Sequence, residues 1–344
     1  MAYTTINKST DYFNTKLWNG NSSTQAITGV GFQPDFVWLK QRTGTQRHQL
    51  LDAIRGANVI LKSDGADASG ADTDILNSFD SDGYTLGYQD QSNDTGATYV
   101  GWNWKANGQG SSNTDGSINT TYTSANTTSG FSIVKYTGTG SNATVGHGLG
   151  AVPKMIIIKC LQQTHWWFVY HSAVGNTKKL NLNTTNDSGS ASANYWNNTT
   201  PTSSVFSVGT ETGVNQSGQD YIAYCFAEKK GFSKFGSYTG NGNADGTFIY
   251  TGFAPAFIIT KITSGVDSWF MYDNKRSPFN VRGKYLVADG TGTDSNADAY
   301  DFLSNGFKVK STATSFNGNG STYVYMAFAE APLVSSNGVP AVAR

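Results

Sequence analysis

The 344-residue sequence is poor in charged side chains, and glutamate is the rarest of them. Only 14% of its residues are charged, and glutamate occurs only at Glu211, Glu228 and Glu330. Lysine and glutamate favour surface helices, so their scarcity argues against a helical protein. The formal net charge is zero. No basic tract could neutralise a run of phosphates, so a nucleic-acid partner is not expected.

Targeting segments and long hydrophobic runs are also missing. Residues 1–6 have neither a basic segment nor an apolar one, so we expect no signal peptide. The longest apolar run, residues 155–158, is far below the ~20 residues of a membrane span. Two cysteines, Cys160 and Cys225, make no disulfide framework. We expect two buried thiols, with a bridge as the alternative if their strands are neighbours.

The sequence patterns of common catalytic and cofactor sites do not occur. None of the four histidines, His48, His147, His165 and His171, has a zinc-type spacing to Cys, Asp or Glu. There is no nucleophile elbow, phosphate-binding loop or dinucleotide fingerprint. We therefore predict no enzymatic activity, no catalytic residue, no cofactor and no metal. The acidic stretch 64–74 has oxygen ligands that suit Ca²⁺ but lacks a closing glutamate, and a solvated loop is the simpler interpretation.

Aromatic and small polar residues are abundant. The chain has 18 Tyr, 19 Phe, 8 Trp and 39 Gly, and 38% of its residues are hydrophobic. This composition predicts strands joined by polar turns around well-filled cores. Asp82-Gly83 and Asn305-Gly306 are strong signals for tight hairpin turns.

Three copies of one unit of roughly 100 residues follow one another, a size and turn spacing typical of a β-sandwich. Each contains a proline that begins an apolar strand, with a lysine six residues later. Four or five consecutive apolar residues predict that each of these strands is covered on both faces. The three versions are Pro34 to Lys40, Pro153 to Lys159 and Pro255 to Lys261. The copies open at Phe13, Phe131 and Phe232.

Each copy closes on an alternating strand that has one bulky apolar face. The equivalent bulky residues are Val100, Ile222 and Val324, then Trp102, Tyr224 and Met326, then Trp104, Phe226 and Phe328. A period of two with a consistent bulky side predicts a sheet face that packs on a core.

These comparisons predict an all-β chain of three tandem β-sandwich repeats of the jelly-roll or lectin-like type. The predicted boundaries are repeat 1 with an N-terminal arm at 1–107, a polar linker at 108–130, repeat 2 at 131–230, repeat 3 at 231–332 and a C-terminal arm at 333–344. Each unit is large enough to hold its own core.

Several ionisable residues recur between copies. Asp52, His171 and Asp273 lie eighteen residues after the three prolines, and Arg55 and Arg276 follow the two aspartates by three. The residues before Asp52 are compatible with a helical turn, and those before the other two indicate strands. A local ion pair or a turn-bracing hydrogen bond is the simplest interpretation of Asp-x-x-Arg, with ligand contact as the alternative. Glu228 and Glu330 occupy equivalent strand ends, where repeat 1 has Ala106, which favours a structural role.

Trp166 and Trp167 interrupt a polar stretch and are the candidate contact residues. Alternation places one of the two in the core. The other is the best candidate for stacking on a sugar ring or on a partner surface.

The motifs together resemble a family of virion structural proteins from tailed phages of marine bacteria and cyanobacteria. The likeness covers nearly the whole chain. It is carried by residues 1–6, 29–35, 136–140, 145–150, 221–229, 236–242, 325–330 and 338–344.

The resemblance implies a β-sandwich, lectin-like protein built into the virion and free of catalytic residues. The expected role is tail- or fibre-associated, with other virion proteins and host-surface glycan as partners and a homo-oligomer, preferably a trimer, as the assembly. A capsid decoration or cement protein and a tail-associated polysaccharide-degrading enzyme are the alternatives, and a secreted lectin is disfavoured by the N-terminus.

Overall fold

The computed structural model describes residues 4–332, and the predicted all-β class is confirmed there. Helical segments are single turns: a 3₁₀ turn at Ser9–Asp11 and α1–α4 at Asp90–Asn93, Ala193–Trp196, Thr212–Asn215 and Thr314–Asn317. No helix in this part of the chain is long and apolar enough to cross a membrane. The start of the predicted N-terminal arm, 1–3, and the predicted C-terminal arm, 333–344, lie outside the described residues.

The first third of the chain forms one four-stranded sheet and two smaller sheets. Its strands are β1 (Phe13–Asn19), β2 (Gln25–Thr28), β3 (Phe36–Gln41), β4 (Gln49–Asp52), β5 (Val59–Ile60), β6 (Gly70–Ala71), β7 (Leu76–Asp80), β8 (Gly83–Leu86) and β9 (Thr98–Trp104). The main sheet, sheet A, has the antiparallel order β1-β9-β3-β4. Strands β2-β8-β7 and β5-β6 form the smaller sheets.

The second third contributes a six-stranded sheet and a two-stranded one. Its strands are β10 (Tyr122–Asn126), β11 (Phe131–Thr137), β12 (Ala143–Gly146), β13 (Pro153–Cys160), β14 (Phe168–His171), β15 (Leu180–Asn181), β16 (Val205–Val208) and β17 (Asp220–Ala227). Sheet B has the order β10-β11-β17-β13-β14-β15, and β12 pairs with β16. The stretch 108–130, predicted as a polar linker, therefore also supplies the edge strand β10.

The last third forms one eight-stranded sheet. Its strands are β18 (Ser233–Thr239), β19 (Phe248–Tyr250), β20 (Phe253–Ile262), β21 (Phe270–Asp273), β22 (Arg282–Val287), β23 (Ser295–Leu303), β24 (Gly306–Val309) and β25 (Thr322–Pro332). Sheet C has the order β18-β25-β20-β21-β22-β23-β24-β19. The predicted tight hairpins are confirmed, β7 to β8 and β23 to β24, but their two-residue loops are 81–82 and 304–305, and Gly83 and Gly306 are the first residues of the second strands.

Four strands have the same order in each main sheet: β1-β9-β3-β4, β11-β17-β13-β14 and β18-β25-β20-β21. The residues before Asp52, which are compatible with a helical turn, form strand β4. The register pairs Phe13 with Trp104, Phe131 with Phe226 and Ser233 with Phe328. Phe232, the predicted start of the third unit, therefore precedes the equivalent position by one residue. A shift of one residue reverses the face of the sheet to which each side chain points.

The bulky faces of the three sheets pack on one another. They form a single buried cluster, which we call the central core. Phe36 of sheet A stacks on Tyr224 of sheet B at 4.3 Å between ring centroids. Phe13 stacks on Phe328 of sheet C at 4.9 Å. The closing strands of the three units are β9, β17 and β25. Their members of the central core are Val100, Trp102, Trp104, Ile222, Tyr224, Phe226, Val324, Met326 and Phe328. A core shared by all three sheets differs from the expectation that each unit would be self-contained.

The opposite faces of the sheets pack on three separate clusters, one for each sheet. Strand β3, for example, directs Phe36 and Trp38 into the central core and Val37 and Leu39 into the outer cluster of sheet A. The prediction that the proline strands are covered on both faces is therefore confirmed, since all six residues of β3 are buried.

Because the central core is common to the three sheets, we expect the chain to unfold in one cooperative transition. Met326→Ala, a truncation in the central core, should lower the free energy of unfolding by about 2–5 kcal/mol. The single transition should move as a whole to lower temperature. Val266→Ala, at a side chain that is 69% exposed, is the control. Scanning calorimetry measures both, and separate transitions of which only one moves would contradict a shared core.

Candidate functional site

The two Asp-x-x-Arg motifs form buried ion pairs. Arg55 Nε lies 2.6 Å from Asp52 Oδ2, and Arg276 Nε lies 2.6 Å from Asp273 Oδ2. The other carboxylate oxygen of each aspartate accepts the backbone N–H of the same arginine, at 2.9 Å and 2.8 Å. The motif thus braces the turn after β4 and after β21, and its charges are unavailable to solvent.

The same aspartates connect different sheets. Tyr224 Oη of sheet B donates to Asp52 Oδ2 of sheet A at 2.7 Å. Trp102 Nε1 of sheet A donates to Asp273 Oδ2 of sheet C at 3.2 Å. Tyr224 and Trp102 are the equivalent bulky residues of the closing strands β17 and β9. A donor on one closing strand therefore meets an acid on the next sheet.

The exception in the middle third follows from Met326, the equivalent of Tyr224 and Trp102. Methionine has no N–H or O–H to donate, and the acid that would accept is replaced by His171. The His171 Nε2 atom lies 3.2 Å from the backbone oxygen of Tyr325 in sheet C. Its Nδ1 accepts the N–H of Ala173 at 3.2 Å. His171 therefore makes the third inter-sheet contact as a neutral donor to the backbone.

Three further equivalent residues connect the thirds of the chain in the same order, the first to the last, the middle to the first and the last to the middle. His48, Trp167 and Trp269 each lie fourteen residues after the proline of their segment. His48 Nε2 is 3.0 Å from the oxygen of Val287. Trp167 Nε1 donates to Lys62 O at 2.9 Å, and Trp269 Nε1 donates to Asn181 O at 2.8 Å. Trp167, a candidate contact residue, is thus a core residue with 0% exposure.

The lysines that end the three proline strands, Lys40, Lys159 and Lys261, are buried. Each ammonium group donates to the backbone oxygen of the following residue, at 2.7–2.8 Å. Burial lowers the pKa of each lysine to about 8. Their repetition at a strand end on the face of the central core indicates a structural role, which is to satisfy carbonyl groups where the core ends.

The acidic stretch 64–74 is held by a cation from the same chain. Arg47 Nε lies 3.2 Å from Asp64 Oδ2, and Arg47 also pairs with Asp67 through Nη1 at 2.5 Å. The Asp64 side chain is 0% exposed, and desolvation raises its pKa despite the neighbouring Arg47. Within residues 4–332 no group of three or more His, Cys, Asp or Glu side chains is placed to hold a metal ion.

Cys160 and Cys225 are buried free thiols. They lie on the neighbouring strands β13 and β17, but Cys225 is opposite Ile156 and Cys160 is opposite Tyr221. This offset of four positions separates the two sulfurs, so the alternative of a bridge is wrong. Burial raises the pKa of the Cys225 thiol, which makes it a poor nucleophile.

An open cleft surrounds Trp166, which is 49% exposed. The cleft has a volume of about 280 Å³ and lies between the middle third of the chain and Ala66 of the first third. His165 and Glu211 line it beside the indole ring and offer hydrogen-bonding groups. The Lys179 ammonium lies 4.9 Å from the Trp166 ring centroid, and burial lowers its pKa. An exposed indole beside polar groups suits stacking on a flat, hydroxyl-bearing ligand.

The profile of one protein family, described as a domain of unknown function (DUF7483), matches residues 8–332. The chain belongs to the DUF7483 family. No curated protein matches it, and no solved structure does. The matched range begins before β1 and ends with β25, so this DUF7483 domain includes all three main sheets and all of the central core except Ile6.

The buried ion pairs should contribute strongly to stability. Arg55→Ala leaves Asp52 buried without its cation, and we expect a loss of about 3–5 kcal/mol in unfolding free energy. Lys8→Ala removes a pair of the same i,i+3 spacing whose side chains are 67% and 47% exposed, and should cost no more than about 0.5 kcal/mol. Urea unfolding at pH 7 measures both. Equal losses would contradict the role given to Asp52 and Arg55.

His171 should make the domain sensitive to acid. Burial lowers its pKa to about 4, whereas an unfolded histidine titrates near 6.5. The unfolded state therefore binds a proton first as pH falls, and this contribution to stability is lost between about pH 6.5 and 4. We expect unfolding free energy to fall less over that range in His171→Gln than in the parent chain, by about 2–3 kcal/mol. Identical pH slopes in urea unfolding would refute this assignment.

Proposed function

We propose that this chain is a non-enzymatic structural protein of a tailed-phage virion, tail- or fibre-associated. In this proposal it consists of three tandem β-sandwich, lectin-like repeats. It binds other virion proteins, and it binds host-surface glycan through the cleft around Trp166. The observation that carries the glycan role is the exposed indole ring of Trp166 beside Glu211 and His165.

A binding role is supported by how the ionisable groups are used. Asp52 and Asp273 are neutralised by arginines and connect sheets. Among the described residues that line the Trp166 cleft, Glu211 is the one carboxylate. Glycoside hydrolysis usually needs two facing carboxyl groups, so this cleft favours binding over the alternative of a polysaccharide-degrading enzyme.

The copy number per particle tests the virion role. Quantitative mass spectrometry of purified particles should find the chain at about three to eighteen copies, as symmetric tail and fibre parts require. Hundreds of copies would favour the decoration or cement alternative. Absence of the chain from particles would refute the virion role. Light scattering of the purified chain tests the expected homotrimer.

Trp166 should be required for glycan binding. On a glycan array the purified chain should bind a subset of glycans, and Trp166→Ala should abolish that signal because stacking on an aromatic ring is lost. Tyr88→Ala, at an aromatic side chain that is 57% exposed elsewhere on the surface, is the matched control. Stability should be unchanged in both variants. An unaltered array signal for Trp166→Ala would refute the glycan role of this cleft.

A further inference from the structure

The junction between sheets A and C contains a groove along the outer edge of β1. Two adjoining cavities of about 20 and 440 Å³ form it, and both are lined by Thr15 and Lys275. Ala256, Asn274 and Glu330 of sheet C form the wall opposite β1. We call this feature the A–C groove.

The outer edge of β1 is a strand edge, because β1 ends the order of sheet A. The N–H of Lys105 donates to Tyr12 O, and the N–H of Gly20 donates to Ala97 O. In an antiparallel pair the direction of the backbone groups alternates. The even-numbered residues of β1 thus face β9, and the backbone N–H and C=O groups of Thr15 and Leu17 point to the A–C groove.

The equivalent junction between sheets A and B is filled by a strand. There β10 pairs with β11, the equivalent of β1. Its Asn126 amide donates to Ala106 O at 3.2 Å, and its Ser124 Oγ accepts the N–H of Asn107 at 2.8 Å. Ala106 is the equivalent of Glu330, and Tyr122 of β10 packs against the central core. An added strand thus covers at one junction the edge that no strand of residues 4–332 covers at the A–C groove.

The third junction, between sheets B and C, has an ion pair instead. Glu228, also an equivalent of Glu330, pairs with Lys234 of β18 at 2.8 Å. In β1 the residue equivalent to Lys234 is Asn14, as the strand registers show. Among the described residues Glu330 forms no ion pair within 4.0 Å, so the A–C groove also lacks an ion pair of this kind.

Two polar atoms in the A–C groove have no hydrogen-bond partner in the described part of the chain. They are Thr15 Oγ1 and Asn274 Oδ1. The two residues are only 4% and 7% exposed. A buried polar atom without a partner is unfavourable, and both residues line the smaller cavity. The register of β10 on β11 places Ser124 opposite Ile133, the equivalent of Thr15. A strand added to β1 would place a side chain opposite Thr15 in the same way.

We propose that the A–C groove binds an extended segment of a partner protein, which adds to the edge of β1 as an antiparallel strand. The segment resembles β10: a small hydroxyl or amide residue lies opposite Thr15, and an aromatic residue lies opposite Leu17, which is 36% exposed. Backbone hydrogen bonds hold the segment, and side-chain pockets select it. This site is separate from the Trp166 cleft and does not depend on the virion role.

A labelled synthetic peptide of residues 118–128, which includes β10, tests the proposal. Fluorescence anisotropy with the full chain should show saturable binding, and a peptide of the same composition in scrambled order should not bind. Leu17→Pro removes an N–H from the open edge without affecting the β1–β9 bonds, and should weaken binding about tenfold or more. Ser237→Pro is the matched control, because Ser237 is the equivalent residue on the edge strand β18.

Asn274→Ala is a second variant that leaves β1 unchanged, and it should also weaken binding because it removes the unpartnered amide oxygen. Each variant is compared with the parent by circular dichroism and thermal unfolding. The proposal is overturned if the peptide does not bind the full chain, or if Leu17→Pro and Ser237→Pro bind it equally. It is also overturned if only a chain shortened after Pro332 binds, since residues of the same chain would then be the occupant.

Discussion

Burial of the bulky faces of β9, β17 and β25 against one another is the interaction on which the rest of the structure depends. Each of these strands has a hydrogen-bonded neighbour on both sides, and its bulky face is covered by the other two main sheets. Trp102, Tyr224 and Met326 are all buried in the same cluster. The hydrophobic gain grows with the apolar area removed from water, and three aromatic-rich faces remove more of it together than any one could alone. The smaller sheets differ between the three thirds of the chain.

The polar contacts between sheets follow from that packing. Once Tyr224 and Trp102 are buried, their O–H and N–H groups need acceptors, and Asp52 and Asp273 supply them. Those carboxylates in turn need cations, which explains Arg55 and Arg276. Where the closing strand has Met326, no donor has to be satisfied, and neither the acid nor the arginine is present. The absence of a donor at Met326 is consistent with His171 in place of an acid in the middle third.

The candidate sites lie where the three main sheets differ from one another. Trp166 is exposed, and the Lys179 ammonium lies close to its ring and to the rings of Phe168 and Tyr195. Within residues 4–332, the A–C groove has no strand that resembles β10 and no ion pair that resembles Glu228 with Lys234. Departures from repetition are therefore more informative about binding than the repeated residues, whose ionisable groups are used for packing.

The sequence by itself determined the all-β class, the tight hairpins and the strands that are buried on both faces, because periodicity and turn chemistry are local properties. It also indicated that one of Trp166 and Trp167 is buried, since neighbouring strand residues face opposite sides. Only the tertiary structure decided that the bulky faces meet in one shared core, that residues 122–126 form a strand on β11, and that Phe232 lies one position before its presumed equivalents. Such features depend on contacts between residues far apart in the chain, for example 172 positions between Asp52 and Tyr224. Spacing along a sequence records no information about which distant faces meet.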